Sequence, residues 1–146
     1  MLKLVCRRQM ANGGATLGFT ARISSHLTGL DTARSIIFDS VQSNYGNGYN
    51  NVTGQFKAPE AGIYVFFANI MSESGGGKFT EIVKNGGEQL AEMYSGGSAL
   101  FDSTSNMAVT SLDEGDVVWV RVHGGFSSNF AIHCCFSSFS GFVIGY

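Results

Sequence analysis

Between Thr16 and Ile23 the chain alternates, with Leu17, Phe19, Ala21 and Ile23 apolar and Thr16, Gly18, Thr20 and Arg22 set between them. A two-residue period predicts a β-strand with one face in a core and one in solvent. Ser35 to Phe38 and Gly54 to Lys57 read as short strands on either side of the turn-forming Gly46-Asn47-Gly48. From Ile63 to Met71 the pattern changes, because Ile63, Val65 and Phe67 on one face and Tyr64, Phe66 and Ala68 on the other are all apolar. An antiparallel strand with one wet face should alternate. This strand is therefore expected to be covered twice, its second face by a loop of the same chain or by neighbouring subunits.

Further on, Phe79 to Val83 and Gln89 to Tyr94 flank Lys84-Asn85-Gly86-Gly87, a hairpin signal because Asn and Gly accept positive φ. Met107 to Leu112 and Val117 to Val122 form a second hairpin around Asp113-Glu114-Gly115-Asp116, and Ser138 to Ile144 supplies a last strand. Capped segments of helical period are absent. Strands this short, punctuated this often, predict an all-β jelly-roll sandwich of two antiparallel sheets. Residues 1–13 read as an N-terminal tail and 14–146 as one globular domain.

Charged residues make up only 14% of the chain, against about a quarter in an ordinary soluble domain, so burial of surface against identical subunits is expected. The net charge of −2 gives no field that would draw the domain to nucleic acid. The basic cluster Lys3, Arg7 and Arg8 sits on the tail. No apolar run approaches the roughly 20 residues that cross a bilayer, so membrane insertion is not expected.

Candidate chemistry is sparse. There is no Gly-x-Ser-x-Gly nucleophile elbow, and the glycine runs lack the downstream Lys of a phosphate loop, so no enzyme is expected. His123, His133 and Cys134 are donors suited to a soft metal, although loop histidines are ordinarily solvated. Cys6, Cys134 and Cys135 match no paired zinc or redox spacing. They read as small buried thiols, with a bridge from Cys6 to Cys134 or Cys135 also open. Asn51-Val52-Thr53 is a glycosylation sequon at Asn51, or simply a set of turn formers. The long polar loops run from Ser95 to Asp102 and from His123 to Ser138. In the second, Phe126, Ser128, Asn129 and His133 mix ring faces with hydroxyl and amide groups, which suits a sugar, unless the phenylalanine points inward.

Phe38, Asn44, Tyr49, Phe56, Gly62, Tyr64 and Phe66, closing on Ala61-Gly-Ile-Tyr-Val-Phe-Phe67, resemble the signature of the C1q globular domain, with Ala68 where its last position expects an aromatic ring. Gly18 to Arg22 and Ile36 to Asp39 resemble the family's first strand and the lead into the motif. Leu112 to Val120 and Phe139 to Ile144 resemble its late hairpin and final strand, so the likeness spans roughly residues 14 to 146.

The resemblance implies a C1q/TNF-like jelly roll, a homotrimer and secretion. The lead function is then an innate-immune pattern-recognition molecule binding microbial polysaccharide or other repeated ligands. The alternatives are a TNF-like ligand for a cell-surface receptor and a structural extracellular trimer. Leu4 to Cys6 is broken by Arg7 and Arg8, so a signal-peptide core is not visible. The expectation is a leader already removed or another way out of the cell. With no Gly-x-y tract ahead of the domain, a stand-alone lectin-like role is expected rather than complement initiation. The resemblance also sets Asp102 where the family often has a calcium aspartate. Tyr94 stands where some relatives have another Asp, and Gly124 to Ser138 holds no carboxylate, so calcium would rest on three copies of Asp102 with carbonyls and waters. Otherwise Asp102 only starts a turn. In this family Cys6 would also be placed to cross-link chains.

Overall fold

The alternating segment at Thr16 to Ile23 becomes strand β1 (Gly18–Arg22), and eleven more strands follow it in a computed structural model that describes residues 14–73, 77–96, 100–123 and 130–146. They are β2 (Leu27–Leu30), β3 (Ser40–Tyr45), β4 (Tyr49–Asn50), β5 (Gln55–Lys57), β6 (Gly62–Glu73) and β7 (Lys78–Lys84). β8 (Glu88–Ser95), β9 (Phe101–Leu112), β10 (Val117–Val122), β11 (Phe130–Ile132) and β12 (Ser138–Gly145) complete the set. No helix occurs among the described residues, and hence none long and apolar enough to cross a membrane.

The strands form two antiparallel sheets. One runs β4-β5-β10-β7-β8. In the other, seven-stranded sheet, β9 lies along one flank of β6 and β12 and β11 share the other, followed by β1 and β3 beyond β12 and by β2 beyond β11. The ladders of β1 with β3, β11 with β2 and β7 with β8 each carry a register shift. β9 lies next to β8 across the sandwich, where the Asn106 side-chain amide donates to the Glu92 carbonyl at 2.9 Å.

Between the sheets lies an aromatic core. Phe19 stacks on Tyr49 with ring centroids 4.6 Å apart and on Phe56 at 5.2 Å, while Phe139 meets Phe19 edge-on at 5.0 Å. Phe56 also meets Tyr64 and Phe66 at 5.6 and 5.5 Å. These geometries are the favoured arrangements for ring quadrupoles.

The signature positions acquire physical reasons here. Asn44 bridges its turn, donating from Nδ2 to the Tyr49 carbonyl at 2.8 Å and accepting the Tyr49 N–H at 3.1 Å. The buried Tyr49 and Tyr64 hydroxyls donate to the carbonyls of Phe38 and Glu60 at 2.8 and 2.7 Å. Gly62 must be glycine, since a Cβ there would stand 2.7 Å from the Gly145 carbonyl oxygen.

The structure also corrects parts of the sequence reading. Ser35 to Phe38 is not a strand: Ser35 makes one isolated bridge to Arg121, and the segment is held by the fully buried Ile36 and Phe38. The stretch His123 to Ser138 is not one loop, because β11 fills the sheet between β6 and β2 and buries Ile132.

Candidate functional site

β6 presents both of its faces to function. Tyr64, Phe66, Ala68 and Ile70 point into the core, leaving Ile63 and Phe67 on the outer face, 45% and 41% exposed. The register sets Val65 between Val109 of β9 and Phe142 of β12, and Phe67 beside Met107. Val109, Phe142 and Met107 are each more than half exposed, and Ile144 continues the patch. No described segment covers this face.

A second group of side chains gathers where β6 ends. The pairing of Leu27 with Ile132 brings His26, just before β2, opposite His133, just after β11. Their rings meet edge to face at 4.3 Å, and the edge of Phe101 meets His133 at 4.9 Å. His133 is clamped by its backbone: its N–H donates to the Met71 carbonyl at 2.8 Å, and its carbonyl accepts from Ser137 Oγ at 3.0 Å. Its Nδ1 lies 2.6 Å from the Cys134 carbonyl, which makes Nδ1 the protonated nitrogen. The chain then turns tightly, Phe136 N–H reaching the Cys134 carbonyl at 2.8 Å across Cys135, whose φ is 74°. That is a γ-turn of the rare positive-φ kind.

Cys134 is half-buried and Cys135 exposed, so neither is the buried thiol expected from sequence. Their sulfurs are 2.8 Å apart, and the thiol contact with Cys135 pushes Cys134 above the usual thiol pKa.

The soft-metal trio read from sequence is divided. His133 and Cys134 join His26, whereas His123, at the end of β10, joins Glu81 and Glu92. There Glu81 is fully buried, bonded to Arg121 Nε at 2.8 Å and to the Gln89 side-chain amide at 2.6 Å. His26 carried no signal in the sequence, since a lone histidine beside a short polar strand has no spacing to betray it.

Asp102 sits in β9 rather than starting a turn. Its Oδ2 accepts from Ser95 Oγ at 2.7 Å, and it joins no cluster of metal-ligating side chains among the described residues. Asn51 lies on the exposed turn between β4 and β5, its Nδ2 donating to the Asp39 carbonyl at 3.2 Å. Phe126, Ser128 and Asn129 lie outside the described residues, as does Cys6.

Two antiparallel sheets in this order, packed on an aromatic core, define a jelly roll of the C1q and tumour-necrosis-factor class. The C1q domain model matches residues 18–144, and the chain belongs to the C1q domain family. It is 33% identical over 129 residues to complement C1q tumor necrosis factor-related protein 3 of Mus musculus, a match covering 88% of this chain and 51% of that protein. The chain thus spans about half the length of the curated relatives it matches. Among solved structures it is similar to the globular domain of zebrafish complement 1qA protein, at TM-score 0.71 and 20% identity over 88% of this chain and 97% of that one. It is also similar to murine APRIL, at TM-score 0.71 and 12% identity over 88% and 99%. Proteins of this class act as ligands or signalling proteins, not as enzymes.

Proposed function

We propose that this chain is an extracellular recognition module that works as a homotrimer and binds microbial polysaccharide or other repeated ligands. The observation that carries the proposal is the bare apolar face of β9, β6 and β12, where Val109, Phe142, Met107 and Ile144 stand more than half exposed around Val65 and Phe67. A soluble domain rarely leaves such a face open, and domains of this family are usually trimeric. Three copies would each present at one end of the body the strand ends that pair Glu73 with Phe101, Lys78 with Ser95 and Thr80 with Val122. Three weak sites held in one rigid spacing gain orders of magnitude on a repeated ligand. Phe126, Ser128, Asn129 and His133 are the residues assigned to the sugar. Asp102, once per chain, is the residue assigned to calcium, and Asn51, on the exposed turn between β4 and β5, is the residue assigned to a glycan.

Light scattering after gel filtration, in calcium and in chelator, should give three times the chain mass. Phe67→Asp and Val109→Asp should give the chain mass with an unchanged β-sheet circular dichroism spectrum. Binding to immobilised polysaccharide should fall at least a hundredfold in either variant. A monomeric wild type withdraws the proposal. A trimer that ignores polysaccharides yet binds host cells saturably replaces recognition with receptor signalling.

A further inference from the structure

We propose that His26, His133 and Cys134 form a zinc site, one per chain, at the end of the seven-stranded sheet. Each of the three offers one donor atom, and the donors lie within 4.8 Å of one another. Tetrahedral zinc needs donors roughly 3.3–3.7 Å apart, given bonds of about 2.0 Å to nitrogen and 2.3 Å to sulfur. The His26 side chain, 46% exposed, has the freedom to close that difference. His133 has none to spare, because Met71 and Ser137 hold its backbone from two directions.

The surroundings of the two imidazoles support the assignment independently. A metal-bound histidine turns its other nitrogen to a carbonyl or a carboxylate, which fixes the tautomer and makes the ligand more basic. His133 does so through Nδ1 to the Cys134 carbonyl at 2.6 Å. His26 sets its Nδ1 3.4 Å from Glu73 Oε1, a carboxylate within reach of the same role. The His133 ring keeps Nε2 as its free donor. The positive-φ turn at Cys135 fixes the backbone that carries the Cys134 thiol. Two neutral imidazoles and one thiolate leave zinc with one positive charge, which the Glu73 carboxylate balances from outside the donor set. Three protein donors leave a fourth position for water or an incoming ligand, as in zinc sites that do more than brace a fold.

The other cluster of donors, Glu81, Glu92 and His123, does not compete well. The Arg121 guanidinium already occupies Glu81 at 2.8 Å and would repel a cation.

The test titrates zinc into the intact protein, kept reduced by a phosphine, against a chromophoric chelator, with cobalt(II) as a spectroscopic substitute. One zinc per chain is expected at micromolar affinity or better. Cobalt should show the intense visible bands of a tetrahedral site together with a sulfur-to-metal band in the near ultraviolet. His26→Gln and Cys134→Ser should each weaken zinc at least a hundredfold, Glu73→Gln about tenfold, and Cys134→Ser should abolish the sulfur band. His123→Gln and Cys135→Ser should bind as wild type. Thermal unfolding of the metal-free variants checks that each is folded, and His26→Gln alters an exposed side chain that the core does not need. No uptake by the folded wild type overturns the proposal. So does a loss on His123→Gln equal to that on His26→Gln, or a sulfur band that follows Cys135 instead of Cys134.

Discussion

Asp39 shows how a single exposed carboxylate can tie two segments together. It accepts the Ser24 backbone N–H at 2.9 Å and the Ser24 hydroxyl as well, joining the turn after β1 to the entry of β3. The Ser24 hydroxyl and then its N–H hold the Asp39 carboxyl below the ordinary carboxylate range. The folded chain thus binds this proton less readily than the unfolded chain. The stabilisation is present above the unfolded value, about 3.9, and is lost as pH falls through the lowered folded value. Asp39→Asn should cost about 0.5–1 kcal/mol in urea unfolding at pH 6, a small figure because solvent screens the group. The difference from wild type should shrink towards zero below about pH 3. A difference that stays constant down to pH 2.5 would show that the charge is irrelevant. Sequence could not have offered this pair, because Ser24 and Asp39 are ordinary turn residues until the strands bring them together.

Among the elements, β7 and β10 carry the clearest electrostatic bond of the fold. Their register sets Glu81 opposite Arg121, and on the other side of β7 it sets Glu81 opposite Glu92. Glu81 is fully buried, so the guanidinium is what makes its ionised form tolerable. Arg121→Gln should cost about 3 kcal/mol by chemical unfolding, most of it the penalty of stranding a buried carboxylate. Adding Glu81→Gln should recover more than half of that loss. If the double variant is as unstable as the sum of the two singles, the pair is not coupled.

The same comparison of elements shows what the sequence could and could not disclose. β6, β10 and the Asn85-Gly86 hairpin were legible: their apolar runs are long, and Asn85 and Gly86 do adopt φ of 51° and 85°. β2, β3 and β11 were not. β3 reads Ser-Val-Gln-Ser-Asn-Tyr and has no buried residue, so as an edge strand it needs no alternation. β11 is three residues long and owes its extended form to the strands on either side of it. The His26 and His133 pair depends on that unread ladder, and for this reason the sequence grouped His123, rather than His26, with His133 and Cys134.

For the whole molecule, the proposed trimer would make the outer face of β6 link folding to association. If three copies bury Phe67, Val109 and Phe142 against one another, the folded chain is stabilised by mass action, and its unfolding temperature must depend on protein concentration. Raising the concentration a hundredfold should lift Tm by several degrees for the wild type and leave Phe67→Asp unmoved. A wild-type Tm that is flat across that range would mean association contributes nothing to the fold.

An apolar sheet face is dangerous if the sheets can also grow sideways, and here the ends are stopped. β2, β3 and β8 join their sheets through ladders with a shifted register, β4 is two residues long, and β9 is tied at Asn106 to the Glu92 carbonyl. Shifted, stunted or tethered borders offer no straight template for an incoming strand. In the proposed trimer, contact through the face would close on itself once the symmetry is complete, whereas contact through a border would propagate without end. The molecule is in this way permitted to be sticky in one direction only, and a chain so poor in charge can expose its hydrophobic side without seeding fibres.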